Sequence, residues 1–327
     1  MPIFDQGYQH WHGTLSGHAG RWLTVTRSGV RSQLRNRWPL LWILAAWVPA
    51  LGLAAVLIVW GLFEQKSSFI MGWLGFLRNL PAEMLSDPKQ FRVFVWTWSY
   101  GIFFQLEIFF SMVLLILIGP GIISRDLRFN AMPLYFSRPL RRIDYFAGKL
   151  GILAAYLSAV TLVPALLAYV LGIVFSMDFS IVVDTGRLLG AVVLYCVLII
   201  VSAGVLQLAL SSLTRSSLYV GIVWAGMWIL SNVTAAVMGA AVRRNWCPLF
   251  SYTRNLERVG DALLGTQRAT ERLIAIFDPR QLRGMRGPPP GFSTTYPWYW
   301  SGAVLAVLLG ISVWILNSRV KSLDRLR

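Results

Sequence analysis

Residues Trp38 to Phe63 read WPLLWILAAWVPALGLAAVLIVWGLF, a run of 26 without one ionisable side chain. Wound into a helix, the run measures roughly 39 Å at 1.5 Å per residue, against roughly 30 Å for the hydrocarbon core of a bilayer. A helix is the form to expect, because lipid offers no hydrogen bonds and the segment must satisfy its own N–H and C=O groups. Pro49 marks a candidate kink within it. Five further long apolar runs follow, at about 96–123 (interrupted by Glu107), 150–177, 188–213, 217–242 and 298–316. The last is led in by Tyr296, Trp298, Tyr299 and Trp300, an aromatic belt of the kind that sits at a membrane interface. The fold class implied is all-α: a polytopic membrane helix bundle of about six transmembrane helices with an N-terminal interfacial helix.

Composition agrees. Of 327 residues, 56% are hydrophobic and only 13% charged, with mean hydropathy +0.59. Soluble domains carry about 25% charged residues, so this chain has too few polar groups to cover a water-facing surface of its size. The net charge of +16 would elsewhere suggest nucleic acid. Here the Arg and Lys residues flank apolar runs, where they hold orientation and meet anionic lipid headgroups, so membrane lipids and no nucleic acid are the expected partners. Cys196 lies inside an apolar run and Cys247 in a connection, which suggests neither a disulfide framework nor a thiol metal site. Residues 1–37 have no apolar h-region or cleavage site, so the first span itself is expected to direct insertion.

The connections assign sides. With the N-terminus inside, the cytoplasm receives the arm at 1–37 (five Arg), the loop at 124–149 (six basic residues), Arg215, and the basic tail at 319–327. The opposite face receives the acidic link with Asp178 and Asp184. It also receives residues 243–297, which contain nine Arg and run against the usual bias. The transmembrane domain thus spans 38–318, and both termini are expected in the cytoplasm. In the arm, Arg27, Arg31 and Arg35 recur at four-residue steps on one helical face, with Trp22, Val30 and Leu34 elsewhere around it. That pattern suits a helix lying on the inner membrane surface, or more simply a solvated basic tether.

Single polar residues inside the spans are read individually. Glu107 is the one acid in an apolar run, where a charge is costly and tends to face a cavity or partner. It is a candidate for the translocation path or for carrying a proton. The alternative is a structural residue near the outer end that reaches the headgroups. Gln105, Gln207 and Asn232 can hydrogen-bond between helices, with structural packing the plainer reading of each. His10, His12 and His18 lie in the arm, with no organised ligand shell for a metal implied.

Gly119 to Leu150 reads GPGIISRDLRFNAMPLYFSRPLRRIDYFAGKL. Gly119, Pro120 and Gly121 loosen the end of the second span. Arg125, Asp126 and Arg128 then emerge into water. Leu127, Ala131 and Leu134 are candidates for the apolar side of a short helix, and Asp144 for a cap at the start of the third span. A short helix projecting from two spans can dock in a partner's groove and move both together. An ordinary basic loop is the plain alternative.

The stretch resembles the cytoplasmic loop of ABC-2-type exporter permeases, the membrane subunits of ATP-binding cassette transporters. It supplies Ile123-Ser124-Arg125-Asp126, then Leu134-Tyr135-Phe136-Ser137-Arg138-Pro139, then Tyr145 and Gly148-Lys149, in that order at a membrane boundary. The resemblance implies a permease that pairs with a second permease copy or paralogue and with two cytoplasmic ATP-binding cassette subunits. Arg125, Asp126, Arg128, Tyr135, Arg138 and Pro139 would belong to the loop that receives the ATPase stroke. It also implies the plasma (inner) membrane as location, and short gating helices near Leu256 to Phe277. The Arg-rich character of 243–297 departs from the family's pattern there.

The chain's own residues argue against ATP hydrolysis. A phosphate-binding loop needs Gly-x-x-x-x-Gly-Lys-Ser/Thr, whereas Gly148-Lys149 is followed by Leu150 and preceded by Ile143 at the first Gly position. Leu15-Ser16-Gly17 is too short to count as an ABC signature. No cofactor is therefore expected in this chain, with ATP and Mg bound by the partner subunit. The functional expectation is an export permease driven by a separate ATPase. The alternatives are a non-transporting membrane anchor or sensor subunit, and a gradient-driven transporter using Glu107.

Overall fold

The computed structural model describes residues 20–65, 82–132, 135, 141–242, 244–276 and 296–324, and these are helical with short connections. Helix α1 is Arg21–Gln33 and α2 is Arg37–Glu64. After a single turn at Ala82–Ser86 come α3 (Pro88–Ile118) and α4 (Gly121–Arg128). Then follow α5 (Arg142–Val160), α6 (Leu162–Ser176), α7 (Ser180–Leu213) and α8 (Ser217–Val242). The chain closes with α9 (Tyr252–Leu264), α10 (Thr266–Ile276) and α11 (Trp298–Asp324). Six stretches are long and apolar enough to cross a membrane: Arg37–Glu64, Pro88–Arg128, Ile143–Ser176, Ser180–Leu213, Ser217–Val242 and Trp298–Arg319. They are called spans 1 to 6.

Spans 2 and 4 form the centre and spans 5 and 6 the periphery. Tyr100, Phe103, Phe104, Ile108, Met112 and Leu115 of α3 are buried against Val192, Tyr195, Cys196 and Ile199 of α7. Indole N–H groups tie outer spans to the carbonyls of α3. Trp42 donates to Phe110 at 2.9 Å and Trp224 to Met112 at 3.1 Å. Such donors matter where no water competes for them. The outward faces of α8 and α11 leave Leu230, Val233, Val237, Val307 and Trp314 more than half exposed, as a lipid-facing surface requires.

Two spans are broken rather than straight. Pro164 cannot donate to the carbonyl of Val160, and the third span divides at Thr161 into α5 and α6. Neighbouring side chains serve carbonyls on both sides of that break. Trp47 Nε1 donates to Ala159 at 3.1 Å and Tyr100 Oη to Ala165 at 2.8 Å. Pro49, by contrast, sits inside an uninterrupted α2.

At one end of the bundle a buried guanidinium joins three spans and the link after the third. Arg92 of α3 forks onto Glu64 of span 1, with Nε to Oε1 at 2.9 Å and Nη2 to Oε2 at 2.6 Å. It also reaches Asp178 at 3.2 Å and Asp184 at 3.1 Å. Asp178, in the link between α6 and α7, is held well below the usual carboxylate range by Lys89 and by Ser180. Helices α9 and α10 lie toward the same end, since Arg272 stacks on Phe94 at 5.0 Å. At the other end α1 crosses the base of α5. Thr26 Oγ1 donates to the Gly148 carbonyl at 3.0 Å and the Tyr156 hydroxyl to that of Val30 at 3.3 Å. Arg27 and Arg31 remain exposed.

Candidate functional site

The second span stops at Gly119–Pro120 and restarts as α4. A Cβ on Gly119 would lie 2.3 Å from the Gln207 amide nitrogen, so only glycine lets α7 approach this closely. Pro120 provides no N–H, and the first amides of the new helix need a partner. Ser211 of α7 supplies it. Its Oγ accepts from the amides of Ile123 at 3.0 Å and Ser124 at 3.1 Å, and donates to the Pro120 carbonyl at 2.9 Å. Ser124 Oγ donates to the same carbonyl at 2.5 Å. Ile122 and Ile123 bury the apolar side of α4 against the core.

The other end of α4 is closed as firmly. Asn130 adopts φ +49°, the left-handed conformation that Asn tolerates. This lets the amide of Ala131 reach the Asp126 carbonyl at 2.9 Å and that of Asn130 the Leu127 carbonyl at 3.4 Å, the two bonds of a Schellman stop. The short helix therefore runs from Gly121 to Arg128. Ala131, expected on its apolar side, lies beyond it, and Leu134 lies outside the described residues.

Asp126 points inward. Its Oδ2 accepts from Lys149 Nζ at 2.7 Å and from the Tyr145 hydroxyl at 2.6 Å. Lys149 Nζ lies 5.3 Å from the Tyr145 ring centre and 5.6 Å from that of Tyr135, and the two rings are 5.2 Å apart. Burial, with the Asp126 carboxylate nearby, raises Tyr135 above the ordinary phenol value. This cluster clamps α4 to the start of α5. Asp144 accepts from the Arg141 amide at 3.2 Å in a capping box there, at the third helical position rather than the N-cap itself.

The outward side carries different residues. Arg125 and Arg128 are exposed and form no ion pair among the described residues. Arg128 stacks on Phe129 at 5.8 Å, Phe129 is 74% exposed, and Ile143 is 78% exposed. So the structure separates the sequence-derived set. Arg125 and Arg128 face out, Asp126 and Tyr135 face in, and Arg138 and Pro139 lie outside the described residues. Phe129 and Ile143 were missed, although large apolar side chains in a basic loop are a readable signal. Ser211 lies 85 or more positions away in sequence and offered no local signal.

A family model described as ABC-2 family transporter protein matches residues 23–319. The chain belongs to the ABC-2 transporter family. No curated protein matches it. As an ABC-2 permease it is a membrane subunit and not itself the ATPase, and the family associates generally with ATP-binding cassette subunits.

The structure also places three polar residues inside the spans or at their ends in this ABC-2 permease. Glu107 is wholly buried, and neither carboxylate oxygen has a hydrogen-bond partner among the described residues. The packed faces of the neighbouring helices enclose it. Gln207 is also buried, its amide without a partner among the described residues, and it packs against Gly119. Asn232 does link elements, accepting from Ser251 Oγ at 2.7 Å and Thr253 Oγ1 at 2.9 Å at the start of α9.

Proposed function

We propose that this chain is the permease subunit of an ATP-driven exporter. Its spans would form the translocation path with a second permease copy or paralogue, and energy would arrive from cytoplasmic ATP-binding cassette subunits that hold ATP and Mg. The reading rests above all on α4. It is a short helix fixed at both ends by its own chain, offering Arg128, Phe129 and Ile143 outward. A basic rim around apolar anchors suits an acidic, apolar groove on a partner.

The wiring supports a mechanical role. A push on α4 passes to span 4 through Ser211 and to span 3 through Asp126 and Lys149. Span 2 continues from α4 itself, so the three spans would shift together between two packings. The exposed arginines Arg27, Arg31, Arg125 and Arg128 gather at this end, and Asp178 and Asp184 at the other. The positive-inside bias then assigns the α4 end and both termini to the cytoplasm, in the plasma membrane. Glu107 is proposed as a path residue that gains its missing partner when the helices part, since an unpaired carboxylate is too costly to retain without one.

The test is co-purification with the ATP-binding cassette subunit and measurement of ATPase stimulation in proteoliposomes. Phe129→Ala with Arg128→Glu should reduce stimulated turnover by about tenfold or more, as loss of an interface anchor does. Full stimulation in that variant would refute the coupling surface. Association without any cargo-dependent stimulation would favour a membrane anchor or sensor instead.

A further inference from the structure

We propose that the cleft between α9 and spans 2 and 4 binds the primary ammonium group of a cationic amine, the cargo class this permease would carry. The cargo assignment rests on the permease reading; the binding site does not. Gly101, Phe104 and Gln105 of α3, Tyr195 of α7, and Glu257 and Asp261 of α9 line the cleft.

The acids are four residues apart on one face of α9, and neither is in a salt bridge among the described residues. Thr266 Oγ1 donates to Asp261 Oδ1 at 2.6 Å, leaving the second oxygen available. Arg258 lies between them in sequence but donates to the Tyr296 carbonyl at 3.0 and 2.8 Å and covers the Tyr296 ring. Among the described residues no Lys or Arg lines the cleft, in a chain of net charge +16.

Tyr195 provides the independent sign of a ligand. It is 2% exposed, and no hydrogen-bond partner for its hydroxyl is found among the described residues. It lies against Gly260, where a Cβ would sit 2.5 Å from the hydroxyl oxygen. The Tyr195 ring thus packs on the part of α9 that carries Glu257 and Asp261 into the cleft. The Phe104 ring stands 4.7 Å from the Tyr195 ring, adding aromatic faces that attract a cation.

Size and donor count select the ligand. The space admits a group about the size of one water molecule, which fits –NH3+ and rejects a quaternary ammonium. Its three N–H donors match the Glu257 carboxylate, the free Asp261 oxygen and the Tyr195 or Gln105 oxygen.

Burial raises Glu257 to about 7 and Asp261 to about 6, so binding exchanges protons for the cation and strengthens from pH 5 to 8. The groups facing the acids are Arg254 and Arg258 on α9, Tyr195 on α7, Thr266 on α10 and Tyr296 before α11.

The experiment is saturation-transfer NMR of methylammonium with the full chain in phosphatidylcholine–phosphatidylglycerol nanodiscs at pH 8. Saturable binding on the order of millimolar is expected for so small a ligand. Glu257→Gln and Asp261→Asn should each weaken it about tenfold or more, and lowering the pH to 5 should weaken it further. Equimolar sodium or tetramethylammonium should not displace it. Absence of binding, equal displacement by sodium, or unchanged affinity in both variants overturns the site. Loss of binding in nanodiscs containing phosphatidylethanolamine would assign the ammonium to a lipid headgroup and overturn the cargo assignment. If either acid variant fails gel filtration, Tyr195→Phe replaces it, with unchanged binding counting against the site. Failed binding would leave the ATPase co-purification result standing, so the two readings fail separately.

Discussion

Ser211 illustrates how much one hydroxyl can hold. It satisfies two amides at the start of α4 and donates to Pro120. Ser211→Ala should cost about 1–2 kcal/mol, the value of a helix N-cap, and amide exchange at Ile123 and Ser124 should rise ahead of the rest of span 2. Asp126 acts differently. Its side chain and that of Lys149 are 16% and 10% exposed, so Asp126→Asn leaves a nearly buried ammonium without its counterion. A loss of about 3 kcal/mol is expected, visible as a lower thermal midpoint in detergent. Replacing both members, Asp126→Asn with Lys149→Met, should recover much of it, because the double variant strands no charge. An unchanged midpoint in the single variant would remove Asp126 from its clamping role.

Among the elements, α9 is the one whose hold on the bundle should respond to pH near neutrality. Burial raises Glu257 from 4.5 to about 7 and Asp261 from 3.8 to about 6. Groups raised on folding contribute stability that is complete below their unfolded values and lost as pH climbs through the folded ones. Docking of α9 should therefore weaken between about pH 4 and 7. Hydrogen exchange in residues 252–264 should quicken from pH 5 to pH 8, and Glu257→Gln should flatten the profile. Asp178 has the opposite sign: held low by Lys89 and Ser180, its contribution is lost only in strong acid, outside that window.

Across the whole molecule the strongest single tie is Arg92, which joins spans 1, 2 and 4 and the link after span 3. Arg92→Met would leave Glu64, 2% exposed, as an isolated buried carboxylate, at a cost of about 3–5 kcal/mol. Arg92→Lys should rescue little, because an ammonium cannot reproduce the two-pronged contact with Glu64. Thermal aggregation of the purified protein would report both. The same cluster defines the end opposite α4, and residues 244–276 lie toward it, as the Arg272–Phe94 contact shows.

The sequence by itself determined the membrane class and the order of six spans, because a charge-free run longer than a bilayer admits only a helix across lipid. It also exposed the Gly119–Pro120 break and the loop motif, both written in consecutive residues. Local pattern blurred the edges. The helix of span 2 starts at Pro88, ahead of its apolar run, since Arg92 is neutralised by distant acids and can be buried. The helix of span 4 starts at Ser180, ahead of its run for a related reason, Asp184 finding Arg92. Only the tertiary structure decided that Asp126 faces inward, that Ser211 caps α4, and that Glu257, Asp261 and Tyr195 meet in one cleft. Those outcomes depend on pairings between residues tens of positions apart, and a linear pattern carries the chemistry of each residue but not the identity of its partner.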